Sequence, residues 1–224
     1  MIPRPGGLRM GNRSAAGVAM AVTLLSALAP HVLLGQDVGT VEGRVTFENV
    51  PQIGEFQVSD AVVYLQGEDL TTELATTLPA MKPPVIDQRN YTFVPRVLPV
   101  MAGVKISFHN ADDEVHNIHT RSKGRRRNRV FNKAQKPNSI LSTVFQRPDS
   151  IRVTCDIHSQ MIAHLLVLPN PFFTKIEEDG TYSIAGVPPG QYEVVVWHEF
   201  FDTVISTIEI TAGGVTTADV TMSR

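Results

Sequence analysis

The sequence has a single cysteine, Cys155, so no internal disulfide is possible even in an oxidising compartment. It shows no amphipathic helical pattern of convincing length. Aromatic residues make up only 7% of the chain, with one tryptophan, and the formal net charge is −2. That balance excludes bulk attraction to nucleic acid, so local patches matter more than the total. Hydrophobic content of 42% is that of an ordinary soluble globular chain, long enough for one or two domains.

What is present begins with a leader. Arg4, Arg9 and Arg13 precede an uncharged apolar stretch from Ala15 to Ala29. That layout predicts a secretory signal over residues 1–35 and places the mature chain in the periplasm or outside the cell. An uncleaved membrane anchor stays open as the alternative, although Pro30 and His31 interrupt the run before it reaches the roughly 20 apolar residues of a span. A second charge feature lies between Arg121 and Lys136, where eight of the twenty basic residues occur with no acid among them. Without interleaved aromatics in an exported chain, this is no nucleic-acid site. It reads either as a solvated loop or as a dock for an acidic partner.

The rest of the chain alternates at the period of strands. Val41 to Phe47, Lys105 to Phe108, Ile140 to Phe145 and Ile151 to Thr154 read this way, with β-branched or apolar runs at Ala61 to Leu65, Ala163 to Leu168 and Tyr192 to Trp197. Glu178-Asp179-Gly180 and Gly213-Gly214 read as hairpin turns. Residues 66–84 read as a connection. The expected class is all-β.

One run carries chemistry. Cys155-Asp156-Ile157-His158-Ser159-Gln160-Met161 packs a thiol, an imidazole and a thioether closely enough for a soft metal. Strand parity puts Cys155 on the same apolar side as Ile151 and Val153. A lone exported thiol is exposed to oxidation unless something occupies it; the alternative is a buried inert Cys. A second imidazole must come from elsewhere. His116 follows the acidic turn Asp112-Asp113-Glu114, and His119, three residues on, would face the opposite way in an extended segment. His109, His164 and His198 take no role in this site, and a domain contact through His198 is left open.

The pattern Asn110, His116-Asn117, then Cys155, His158 and Met161 resembles the cupredoxins, most closely their plastocyanin and amicyanin branch, over roughly residues 85–170. Phe93-Val94-Pro95 and Ala102 to Phe108 share in the likeness. The resemblance implies a Greek-key β-sandwich with one type 1 copper. His116, Cys155 and His158 would be the trigonal ligands, Met161 the axial one, and Asn117 a tie between the two ligand loops. The residue after the loop His is Ser159, where amicyanin has proline, so this loop is the more flexible and polar.

A second resemblance joins the two ends of the chain. Gly39 to Gln66 and Asp179 to Val196 are similar to the two halves of a carboxypeptidase regulatory-like domain, a small transthyretin-like β-sandwich. The expected organisation is a sandwich formed by 37–66 and 171–224, with a copper domain over 67–170 inserted between them; a separate C-terminal appendage is the competing arrangement. The expected function is one-electron transfer with a redox partner docking near His158 or the basic stretch. The chain has no H-x-H pairs of the kind that signal further copper sites, so no enzyme activity is expected. A surface binding module with a degenerate copper site is the alternative.

Overall fold

The computed structural model describes residues 37–224 apart from 53, 55, 71–82 and 123–130, and among them there is no α-helix. β1 (Gly39–Phe47) and β2 (Val62–Gln66) come first, separated by a short 3-10 turn (Val58–Asp60). Nine strands follow: β3 (Val85–Arg89), β4 (Thr92–Val94), β5 (Val97–Met101), β6 (Lys105–Asn110), β7 (His116–Ser122), β8 (Asn132–Gln135), β9 (Ile140–Val144), β10 (Asp149–Thr154) and β11 (Ile162–Leu168). The last six are β12 (Phe173–Lys175), β13 (Thr181–Val187), β14 (Gly190–Trp197), β15 (Val204–Ile210), β16 (Val215–Thr217) and β17 (Val220–Met222).

These strands make four sheets in two sandwiches. One sandwich faces β13-β1-β16, with β17 also on β1, against β12-β2-β14-β15. The other faces β5-β11-β10-β7-β8 against β4-β3-β6-β9. The chain therefore leaves the first sandwich after β2, builds the second from β3 to β11, and returns at β12. Two turns that read as hairpins act differently. Glu177 N–H bonds Thr181 O across the Asp179-Gly180 turn, but β12 continues into the sheet of β2 and β13 into the sheet of β1. Likewise β15 pairs with β14, whereas β16 and β17 run parallel to β1. Each turn crosses from one layer to the other, because the two strands it joins fill opposite faces of one core. Gly180 serves that crossing with a φ of +86°, and a Cβ there would lie 2.5 Å from Val45 O.

Each sandwich has its own core. Val41, Val63, Leu65, Ile184, Val194 and Val196 fill the first, and Ile106, Phe108, Ile118, Ile151, Val153 and Leu165 the second. A third cluster lies between them. Val97, Leu166 and Leu168 of the second sandwich meet Val62, with Tyr64, Phe173 and Trp197, of the first. This explains why β11 is almost wholly apolar. Ala163, Leu165 and Val167 face its own core, while Leu166 and Leu168 face the other sandwich, as in any strand covered on both sides. Each such aliphatic side chain contributes about 1.5–3 kcal/mol of burial, so the seam is an apolar contact first.

A polar tie completes it. Glu199, following β14, accepts from Arg96 Nε at 2.8 Å, and its other oxygen lies 2.7 Å from His164 Nε2 on β11. Asp60 accepts from Lys175 at 3.2 Å and sits 3.9 Å from Arg96. It is therefore His164 that meets the first sandwich, while His198 packs within it among Phe47, Phe56 and Phe201. No helix among the described residues is long and apolar enough to cross a membrane.

Candidate metal centre

β10 turns Ile151 and Val153 inward and Arg152 outward, so the period of two carries Cys155 into the core at 3% exposure. The seven-residue loop then folds back on itself. Met161 N–H bonds His158 O at 3.0 Å, and Cys155 N–H bonds Met161 O at 3.3 Å. These two bonds return the chain to β11 and leave Met161 fully buried in the same cluster as Cys155.

His116 enters from β7. The sequence suggests a turn leaving a strand; the structure makes His116 the first residue of one, fully buried. Its Nε2 lies 2.8 Å from Asp112 Oδ2. With Nε2–H donating to that carboxylate, the imidazole keeps its Nδ1 lone pair for another partner. Nδ1 points at His158 Nδ1, 3.0 Å away, and His158 Nδ1 is 3.8 Å from Cys155 Sγ. One donor atom each from His116, Cys155 and His158 thus falls within 4.8 Å of the others. Metal bonds of about 2.0–2.3 Å to imidazole and thiolate would separate planar donors by roughly 3.5–3.8 Å, and the observed spacings bracket that range. The donor set fits a copper ion.

His119, three residues along β7, points elsewhere. Its Nδ1 bonds Asp156 Oδ1 at 2.9 Å on the outside of the loop, and that bond holds the Asp156 carboxyl below its ordinary value. Asn117, between the two histidines, ties the loops together. Its Oδ1 accepts from Asp156 N–H at 2.7 Å and from the Cys155 thiol at 3.3 Å, and its Nδ2 donates to Asn132 on β8 at 2.6 Å.

Two residues at this centre were not singled out from sequence. Asp112 accepts from the backbone N–H groups of Asn90 and Tyr91 as well as from His116. Burial pushes its carboxyl up, but these hydrogen bonds outweigh burial and hold it below its ordinary value. The local signal was there: an acid four residues before a candidate ligand. Tyr91 sets its ring edge-on to His158, with centroids 4.9 Å apart, and to His116 at 5.8 Å. Only its place after Asn90 in a short turn marks it in the sequence.

Thus the described residues form an all-β protein of two sandwiches, one of which brings two imidazoles and a thiol together. Residues 169–223 match the carboxypeptidase regulatory-like domain family. Among solved structures, the chain is similar to a copper-containing nitrite reductase from Thermus scotoductus SA-01, at 19% identity and a TM-score of 0.36, over 42% of this chain and 26% of that one. The chain therefore spans about a quarter of that enzyme's length. It is also similar to a Cu(I) form of an amicyanin mutant, at 16% identity and TM-score 0.35, covering 47% of this chain and 98% of that one. A purple cupredoxin from Nitrosopumilus maritimus matches at 18% identity and TM-score 0.33, over 38% and 99% respectively. No curated protein sequence matches the chain.

Proposed function

We propose that this chain is an exported one-electron carrier holding a single type 1 copper ion, and that it transforms no substrate. The observation that carries this reading is the convergence of the Cys155, His116 and His158 donor atoms within 4.8 Å, on a loop that also buries Met161. A thiolate, two imidazoles and a weak thioether are the ligand set of a copper electron-transfer site. His116, Cys155 and His158 would hold the ion, Met161 would be its axial donor, and copper bound there supplies a one-electron couple.

The protein's part is to hold these groups still. Asp112 fixes the His116 tautomer and ring orientation, and Asn117 locks the loop through Asp156 and Cys155. His116 and Met161 are fully buried and Cys155 nearly so, which excludes water and limits rearrangement on electron transfer; His158 is the half-buried member. An electron would leave through its edge. A redox partner would dock there or at the basic stretch Arg121 to Lys136, of which residues 123–130 lie outside the described residues.

The axial assignment has its own test. Met161→Leu should keep a coloured site and raise the reduction potential, because a weak donor to Cu(II) is removed. Met161→Gln should lower it, since an amide oxygen favours the oxidised ion. Each tenfold change in relative affinity for the two copper states moves a one-electron couple by about 59 mV, well within reach of voltammetry. Equal potentials in all three proteins would make Met161 a core residue and nothing more.

A further inference from the structure

Tyr91 occupies a backbone position that its side chain does not favour. The β3–β4 hairpin turns in two residues, Asn90 and Tyr91, with φ values of 52° and 58°. Such two-residue turns need the left-handed region at both positions. Asn enters it readily, whereas for a bulky side chain it is an outlier. Strain of this kind persists where the surroundings over-determine it, and it is a reason to ask what the residue does there.

The surroundings answer in one residue. The Asp112 carboxylate accepts the Asn90 amide at 2.6 Å and the Tyr91 amide at 3.0 Å, and with the second of these oxygens it also holds His116 Nε2 at 2.8 Å. A single side chain thereby fixes the turn and the ligand ring as one body. The turn sets the Tyr91 ring edge-on against both imidazoles, at interplanar angles of 76° to His158 and 86° to His116. His116, Cys155 and Met161 lie at 3% exposure or less, so His158 is the one member of the group that reaches solvent, and Tyr91 leans on it while 40% exposed itself.

We propose that Tyr91 is a fixed cover over the entry edge of the metal site, a positioning residue that sets how fast an ion enters and leaves; this rests on the metal-binding reading above. The ring packs against the imidazoles, with centroids 4.9 Å from His158 and 5.8 Å from His116, so the role is assigned to the ring and not to the hydroxyl. Asp112 keeps cover and ligand in register.

The test uses Zn2+, which is colourless and redox-inert, so that it does not depend on a copper band. Tyr91→Asn removes the ring yet suits the left-handed turn; Tyr91→Phe keeps the ring and removes the hydroxyl. In the metal-free protein, NMR should show the His158 ring protons displaced by the Tyr91 ring current in the wild type and in Tyr91→Phe, and released in Tyr91→Asn. Capture of Zn2+ from the loaded protein by a chromophoric chelator should then run roughly tenfold faster in Tyr91→Asn, at the low end of what outer-sphere changes cost metal sites, and unchanged in Tyr91→Phe. Wild type and Tyr91→Asn losing the ion at the same rate would overturn the cover alone. A wild type that takes up neither Zn2+ nor Cu2+ would overturn the metal-site reading, and the cover with it.

Discussion

Glu199→Gln should lower the stability of the protein by about 3 kcal/mol. The carboxylate is 9% exposed and joins Arg96 to His164, the first at 19% and the second at 5% exposure. Gln keeps the shape but not the charge, and leaves a largely buried guanidinium with only the more distant Asp60 carboxylate, 3.9 Å away, of the two acids beside it. For a chain of this size the loss corresponds to roughly 6–12 °C in Tm, measured by calorimetry on the metal-free protein. The pH dependence gives a second reading. Burial raises the Glu199 carboxyl, but the hydrogen bonds and charges of His164 and Arg96 outweigh it and bring it from 4.5 to about 2. Because the folded value lies below the unfolded one, the contribution is present above about pH 4.5 and is lost as pH falls towards about 2. The gap between wild type and variant should therefore close across that window. A gap that stays constant from pH 7 to pH 3 would mean that the stability lost in the variant comes from shape and packing.

Cys155→Ser should remove the visible absorption of the copper-loaded protein altogether. The band of a trigonal site belongs to the thiolate, and a hydroxyl does not replace it. The metal-free fold should barely notice, with a change of about 1 kcal/mol or less, because the serine hydroxyl can donate to Asn117 Oδ1 as the thiol does. The same assay separates the two upstream histidines. His116→Ala should bleach the protein, whereas His119→Ala should leave the band, since the His119 ring is held by Asp156 outside the loop. Bleaching by His119→Ala alone would place the upstream ligand at the wrong residue.

How much of this was legible in the sequence depends on the range of the signal. The parity of Ile151, Val153 and Cys155 is a period-two pattern, and it correctly put the thiol on the core side. The C-x-x-H-x-x-M spacing is local, so the loop could be read as one unit. Parity also separates His116 from His119, which sit on opposite faces of β7. Short polar strands left no such trace. Gln88 in β3 and Gln135 in β8 look like surface residues, yet they are buried and bonded to each other at 2.8 Å, a pairing across 47 positions. The Arg96–Glu199 tie spans 103 positions and is invisible to any window. Turn chemistry at Asp179-Gly180 was plain, but which sheet each flanking strand joins is decided by packing of two layers on one core. Tyr91 was hidden for a different reason, since its left-handed backbone runs against the preference of its own side chain.

The most direct test of the account is a copper titration of the metal-free protein followed by visible absorption. Cu(II) should develop an intense thiolate-to-copper band that grows linearly and stops at one ion per chain, with the donors being His116, Cys155 and His158. A protein that stays colourless through the titration, or that takes up copper with no band that Cys155→Ser removes, would contradict the electron-carrier reading and leave a β-sandwich binding module in its place.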